Sequence, residues 1–217
     1  MPVKPLLHAH DWLSWHNYPR HTMKDYLKEA EHNRLMALEL MEKLDITGAW
    51  ESAGAEVNIV GSLKTGLIMK HLDMDFHVYT SRLDVSAAFA AMGRIASAPA
   101  VRRVEYTDLS DTEEKCLEWH LWCDDREGRL WQVDIMNILK GSTYDGYFER
   151  MAERISAVLT PQSRDAILRI KYELPDGSDV HGTEIYQAVI RDGVRDYASF
   201  ENWRRAHRSE GIIHWIP

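Results

Sequence analysis

Gly61-Ser62-Leu63-Lys64-Thr65-Gly66-Leu67-Ile68-Met69-Lys70-His71-Leu72-Asp73-Met74-Asp75-Phe76 decides how the rest of this chain reads. Val57, Ile59 and Val60 precede it and make 55–60 a short apolar strand. Gly61-Ser62 is then a turn into a helix expected over 63–70, and 73–80 a second strand. Backbone N–H groups at a helix start are unpaired and carry partial positive charge, so the turn can hold an anion. Strand alternation puts Asp73, Asp75, His77 and Tyr79 on one face and Met74, Phe76 and Val78 on the other. Side chains two apart along a strand are about 6.6 Å apart at roughly 3.3 Å per residue. Paired divalent ions sit about 3.5–4 Å apart, so both carboxylates can converge on one ion pair. A phosphate cradle beside a metal site is what phosphoryl or nucleotidyl transfer requires.

Composition narrows the class. At 217 residues and 45% hydrophobic, the chain can bury a core as one domain or as one domain with a helical appendage. A formal charge of −8 and a pI near 5.8 tilt against a surface that grips a nucleic-acid backbone. Cys116 and Cys123 are an odd number of residues apart in one expected strand, so they face opposite ways and do not pair. Residues 1–10 lack the apolar run of a signal peptide, and no stretch reaches the length of a membrane span. These features give the expectation of a reduced, cytoplasmic protein with no membrane partner.

Residues 1–20 crowd His8, His10, Trp12, Trp15, His16 and Tyr18 into a segment with three prolines, at spacings that match no metal motif. They read as a terminal arm that packs its tryptophans. Three- and four-residue spacing predicts a helix over 23–44, with Thr22 as cap and Gly48 beyond its end. An Ala-rich helix is expected over 84–98, started by Asp84, and strands over 101–107, 116–123 and 130–138. In the last strand Trp131, Val133 and Ile135 share one face, and Gln132, Asp134 and Met136 the other. After Gly141 the pattern is helical only, with Thr160-Pro161 as a cap and first turn. The division expected is a catalytic unit with its N-terminal helix at 1–141 and a helical C-terminal unit at 142–217.

An apolar residue, Gly-Ser, about ten residues and then Asp-x-Asp between apolar residues resembles the signature of the nucleotidyltransferase superfamily of DNA polymerase β. The resemblance implies an α+β fold: a mixed β-sheet flanked by helices, followed by a helical region. It implies a third carboxylate on a neighbouring strand, for which Asp134 in Trp131-Gln132-Val133-Asp134-Ile135-Met136 is the match. It gives Asp73, Asp75 and Asp134 to two magnesium ions, with manganese able to replace them. Gly61 and Ser62 go to the triphosphate, and Lys64 is a candidate neutralising charge. Small bacterial members carry Arg where Thr65 stands and Ser or Thr where Leu72 stands, so that branch is not indicated.

The activity implied is transfer of a nucleoside monophosphate from a nucleoside triphosphate, ATP favoured, to a hydroxyl. Acidity favours a small, antibiotic-like acceptor over nucleic acid. The alternatives are a protein- or RNA-directed transferase of toxin–antitoxin type and a non-catalytic nucleotide-binding module. Glu118 and His120 share a strand face and are candidates for a separate base, while Lys140, Lys171 and Tyr172 are candidates to touch phosphate or base.

Overall fold

A computed structural model describes residues 25–207 and 215–217. The His/Trp-rich arm and the Thr22 cap lie outside the described residues. The elements run α1 (Asp25–Leu44), α2 (Ile46–Glu51), β1 (Glu56–Val60), α3 (Gly61–Thr65), β2 (Asp73–Thr80), α4 (Val85–Ala96), β3 (Val101–Leu109), β4 (Cys116–Asp124) and β5 (Leu130–Leu139). Helices α5 (Tyr147–Val158), α6 (Pro161–Glu173), α7 (Gly182–Ile190) and α8 (Tyr197–Ala206) follow.

The five strands lie in the order β1-β2-β5-β4-β3. β2 and β5 pair in parallel at the centre, and the other neighbours are antiparallel. This is the α+β, nucleotidyltransferase-like arrangement expected: a mixed sheet flanked by helices, then helices. On one face Met74, Phe76, Val78, Trp119, Trp131, Val133 and Ile135 pack against α1, α2 and α4. Trp50, Trp119 and Trp131 are each at most 1% exposed, and burying a large apolar side chain contributes about 1.5–3 kcal/mol. On the opposite face α3 and α5 lie over β1 and β2. A second cluster joins α5 to α8 and takes in Tyr26 and Ala30 of α1 together with Leu67 and Met69. Tyr26 also donates to Asp165 Oδ1 at 2.6 Å, so α1 ties both clusters together.

Two helical expectations change. The chain does not leave its helical path after Leu44: Asp45 adopts φ 49°, a left-handed break, and α2 restarts at once and buries Ile46, Ala49 and Trp50. The helix expected over 63–70 is a single turn ending at Thr65, because Gly66 takes φ 69° and terminates it. Leu67, Ile68 and Met69 are then irregular backbone with fully covered side chains, an apolar run that resembles a helix face in sequence. Two of the expected caps lie within the described residues and form: Asp84 accepts from the Ala87 N–H at 3.0 Å, and Thr160 with Ser163 makes a capping box. Cys116 and Cys123 are both free and buried, one on each face of the sheet. Among the described residues no helix is long and apolar enough to cross a membrane.

A buried polar chain fixes the end of the sheet where β2 and β5 begin. Asn33, 1% exposed, donates to the Met69 carbonyl at 3.0 Å and accepts from Arg129 Nη1 at 2.7 Å. Arg129 Nε in turn donates to Asp125 at 2.8 Å, and Trp131 Nε1 donates to the same carboxylate at 2.9 Å. Met69 lies four residues before Asp73, so this chain holds the approach to the acidic strand. Replacing Asn33 by Ala leaves the Met69 carbonyl and the Nη1 of Arg129 without this partner, while Arg129 keeps Asp125; a buried polar group left unsatisfied costs about 1–3 kcal/mol. We expect Asn33→Ala to lower unfolding stability by about 2 kcal/mol or more, read from the urea midpoint at unchanged slope.

Candidate active site

The sheet register brings the acids together by row. Asp73 stands opposite Gln132 and Asp75 opposite Asp134 on the parallel neighbour β5. His120 of β4 stands opposite Asp134, and Glu105 of β3 opposite His120. One row of the uncovered face therefore reads Asp75, Asp134, His120, Glu105. Further along β2 the same face is roofed by α5: Glu149 meets His77 Nδ1 at 3.2 Å and accepts from the Tyr79 hydroxyl at 2.8 Å. The two β2 acids thus sit where the covered half of the sheet gives way to the open half.

Gly61 is the tightest point of the site. Its φ is +63°, and a Cβ built there would overlap the Asp75 carboxylate, with the Cγ only 2.7 Å away. Only glycine combines that backbone with that proximity. Next to it, the Ser62 hydroxyl is buried with no hydrogen-bond partner. Lys64 is half-buried on the same helical turn. Lys171, from α6, donates to the Leu67 carbonyl at 2.8 Å and shares a 3.1 Å hydrogen bond with the Tyr186 hydroxyl, which anchors it beside the acids.

The charges are strained against one another. Burial, then the negative charges of Asp73 and Asp134, push the Asp75 carboxyl up to about 7, and Lys171 and His71 offset part of this. His71 Nδ1 lies 3.5 Å from Asp73 Oδ2, and that hydrogen bond raises the imidazole above its usual range. For His120, burial lowers and the Asp134 hydrogen bond raises, with the net shift upward. Its Nδ1 is 2.5 Å from Asp134 Oδ1, and its Nε2 is 3.3 Å from Glu118 Oε1. Gln132 Nε2 also donates to Asp134, at 2.9 and 3.2 Å.

These residues fit a divalent cation in part of their geometry. Three carboxylates in adjacent register, one of them held against its own ionisation, form a site that lacks positive charge. Among the described residues, though, no three His, Cys, Asp or Glu side chains are already gathered as a ligand set. Both Asp134 oxygens are already hydrogen-bonded to Gln132 or His120. Closing the set requires Asp134 to exchange those partners.

Of the other expected residues, Lys140 does not reach the site. It continues β5 past Leu139 at the opposite end of the sheet and pairs with Glu56 at 3.2 Å. Tyr172 is exposed on α6 and tilts against Tyr26. His71 and Gln132 escaped the sequence reading because no motif marks them. Gln132 was legible in principle, two residues before Asp134 on the same strand face.

Linkage gives a metal test that does not need turnover. A carboxyl raised from about 4 in the unfolded chain to about 7 in the fold favours the folded state below pH 4. That contribution is lost as pH rises through about 7. The metal-free protein should therefore lose melting temperature from Asp75 between about pH 4 and 7 and level off above. Added Mg²⁺ or Mn²⁺ should restore it by several degrees at pH 8 and barely at pH 5.5, and Asp75→Asn should flatten both trends.

No family model matches the chain, and no curated protein matches it. Solved structures similar to it include a cytoplasmic RNA terminal U-transferase, with TM-score 0.43 and 19% identity over 68% of this chain and 40% of that one. The Cid1 poly(U) polymerase with MgGTP gives TM-score 0.44 and 20% identity over 69% and 42%. The GLD-2/RNP-8 complex gives TM-score 0.46 and 13% identity over 78% and 53%. The chain spans about half or less of the length of these proteins.

Proposed function

We propose that the chain is a metal-dependent nucleotidyltransferase. It moves a nucleoside monophosphate from a nucleoside triphosphate, ATP favoured, to a hydroxyl of a small acceptor. The observation that carries this reading is the side-chain-free turn at Gly61, pressed onto Asp75 in the row shared with Asp134. Asp73, Asp75 and Asp134 would hold magnesium, two ions in all, with manganese able to stand in. Bound there, the metal supplies charge neutralisation for the triphosphate and a lowered pKa for the acceptor hydroxyl.

The chain's own groups supply the rest. The first-turn N–H groups of α3 and the unsatisfied Ser62 hydroxyl donate to phosphate oxygens. Lys171, and Lys64 from the turn, add positive charge against the triphosphate. The acceptor oxygen attacks the α-phosphorus, the bond from that phosphorus to the bridging oxygen breaks, and pyrophosphate leaves. Asp134 takes the acceptor's proton, and His120 and Glu118, released beside it, are the candidates for a separate base.

The descriptions of the similar solved structures name RNA uridylylation and poly(U) synthesis for those proteins, which makes an RNA hydroxyl the second acceptor to test. Support for the small acceptor is the net charge of −8 and the pairing of two arginines on β3, the edge strand of the open face. Arg102 is held by Asp124 at 2.6 Å and Arg103 by Glu105 at 3.1 Å.

The test is incubation with each α-labelled nucleoside triphosphate, Mg²⁺ or Mn²⁺, and separate pools of small hydroxylated molecules, RNA and proteins. Metal-dependent label transfer to a small molecule is the expected result. Transfer to RNA alone would move the proposal to its second acceptor, and nucleotide binding without transfer to any pool would refute it.

A further inference from the structure

We infer that β3 is the contact edge of a symmetric dimer, where it pairs antiparallel with β3 of a second copy of this chain about an axis at Val104. The sheet has two edges. β1 is five residues long and flanked by α2, α3 and α5, whereas β3 runs nine residues with no strand beyond it among the described residues. From Arg103 to Leu109 the pairing of β3 with β4 is regular, and the outward backbone groups of an edge strand are a template for another strand.

Charges on an edge strand normally resist pairing, so the pattern of the charges decides. Arg103 and Glu105 share the open face of the sheet, with side chains 57% and 53% exposed. Two residues apart on one strand is about 6.6 Å, whereas residues directly opposite across an antiparallel pair are about 4.5–5.5 Å apart. A twofold axis at Val104 sets each Arg103 opposite Glu105 of the second copy, so one sequence supplies two cross-strand ion pairs. Moving the axis to Arg103 or to Glu105 sets that residue against its own copy, like charge against like. The Arg103 guanidinium lies 3.5 Å from the Trp122 ring centroid. Stacking uses the guanidinium plane and leaves its N–H rim to a carboxylate.

On the helix-covered face the same axis brings the two Val104 side chains together, each 36% exposed. Tyr106 shares that face by alternation, and the half-exposed Phe89 of α4 packs edge-on to it with ring centroids 4.8 Å apart. The interface therefore has an ion-paired side and an apolar side. Its axis is perpendicular to the sheet, so both open faces lie on one side of a continuous sheet. The row Asp75, Asp134, His120, Glu105 then ends on Arg103 of the second copy, which adds a cation to an acidic row.

The measurement is the oligomeric state of the full chain by sedimentation velocity. Wild type should sediment as a dimer at micromolar concentration. Arg103→Glu and Glu105→Arg should each weaken the dimer about tenfold or more, and the two substitutions combined should restore it. Melting curves report separately whether each variant folds. On mild oxidation Val104→Cys should cross-link to its own copy and Thr107→Cys should not, the native Cys116 and Cys123 being buried. A monomeric wild type would leave this edge to a different partner and overturn the inference. So would single reversals that leave the dimer unchanged, a folded double reversal that stays dissociated, or equal cross-linking at both positions. None of these readouts uses turnover, so the transfer reading stands or falls separately.

Discussion

Asp75→Asn should abolish measurable nucleotidyl transfer while leaving the fold intact. The expected loss in kcat is about three orders of magnitude or more, since a metal-ligating acid supports several kcal/mol of transition-state stabilisation. The amide occupies the same volume but carries no charge. It removes the charge whose burial, together with repulsion from Asp73 and Asp134, holds the Asp75 carboxyl near 7, so the variant should also melt higher than the metal-free wild type at pH 8. Loss of activity together with a gain of stability is a pairing that a merely structural acid would not produce. A variant that loses both would indicate that Asp75 serves the fold.

Gly61→Ala is the second large effect, and Gly66→Ala is its control. Both glycines sit at positive φ, +63° and +69°, and a non-glycine residue there costs roughly 1–2 kcal/mol. The two differ in what a Cβ would touch. At Gly66 nothing lies within 4 Å, whereas at Gly61 the Cβ overlaps the Asp75 carboxylate. Both variants should therefore lower the unfolding midpoint, Gly61→Ala by more because its Cβ must also displace the Asp75 carboxylate. Displacing Asp75 by a fraction of an ångström to an ångström should cost Gly61→Ala about 10²-fold or more in kcat, and Gly66→Ala should stay within a few-fold of wild type. Equal activity losses would mean that the turn contributes only backbone geometry.

Much of this site was legible because its parts are local. Gly61-Ser62 and Asp73-x-Asp75 fall within sixteen residues, and strand alternation alone puts both acids on one face. Asp84 and Thr160 were equally readable, since a cap is a contact between near neighbours. Pairing was harder. That β5 lies in parallel beside β2, with β4 beyond it, is a property of the whole sheet, and from it come the rows that join Asp134 to His120 and Trp122 to Arg103. The α2 helix was hidden by Gly48, which reads as a stop signal but lies inside the helix. The helix expected over 63–70 failed for the converse reason: Leu67-Ile68-Met69 is apolar because it is buried between two clusters. Lys171 and Lys140 looked alike in sequence, and only tertiary packing brings one to the acids and leaves the other at the far end of the sheet.

The central claim is that this row of carboxylates drives metal-dependent transfer of a nucleoside monophosphate. Its most direct test is a single-turnover reaction with α-labelled ATP and Mg²⁺, following label on the acceptor and pyrophosphate together, in wild type and Asp75→Asn. The account predicts equimolar labelled product and pyrophosphate from wild type, loss of both on chelation, and neither from the variant. Inorganic phosphate in place of pyrophosphate, or undiminished transfer by Asp75→Asn, would contradict it.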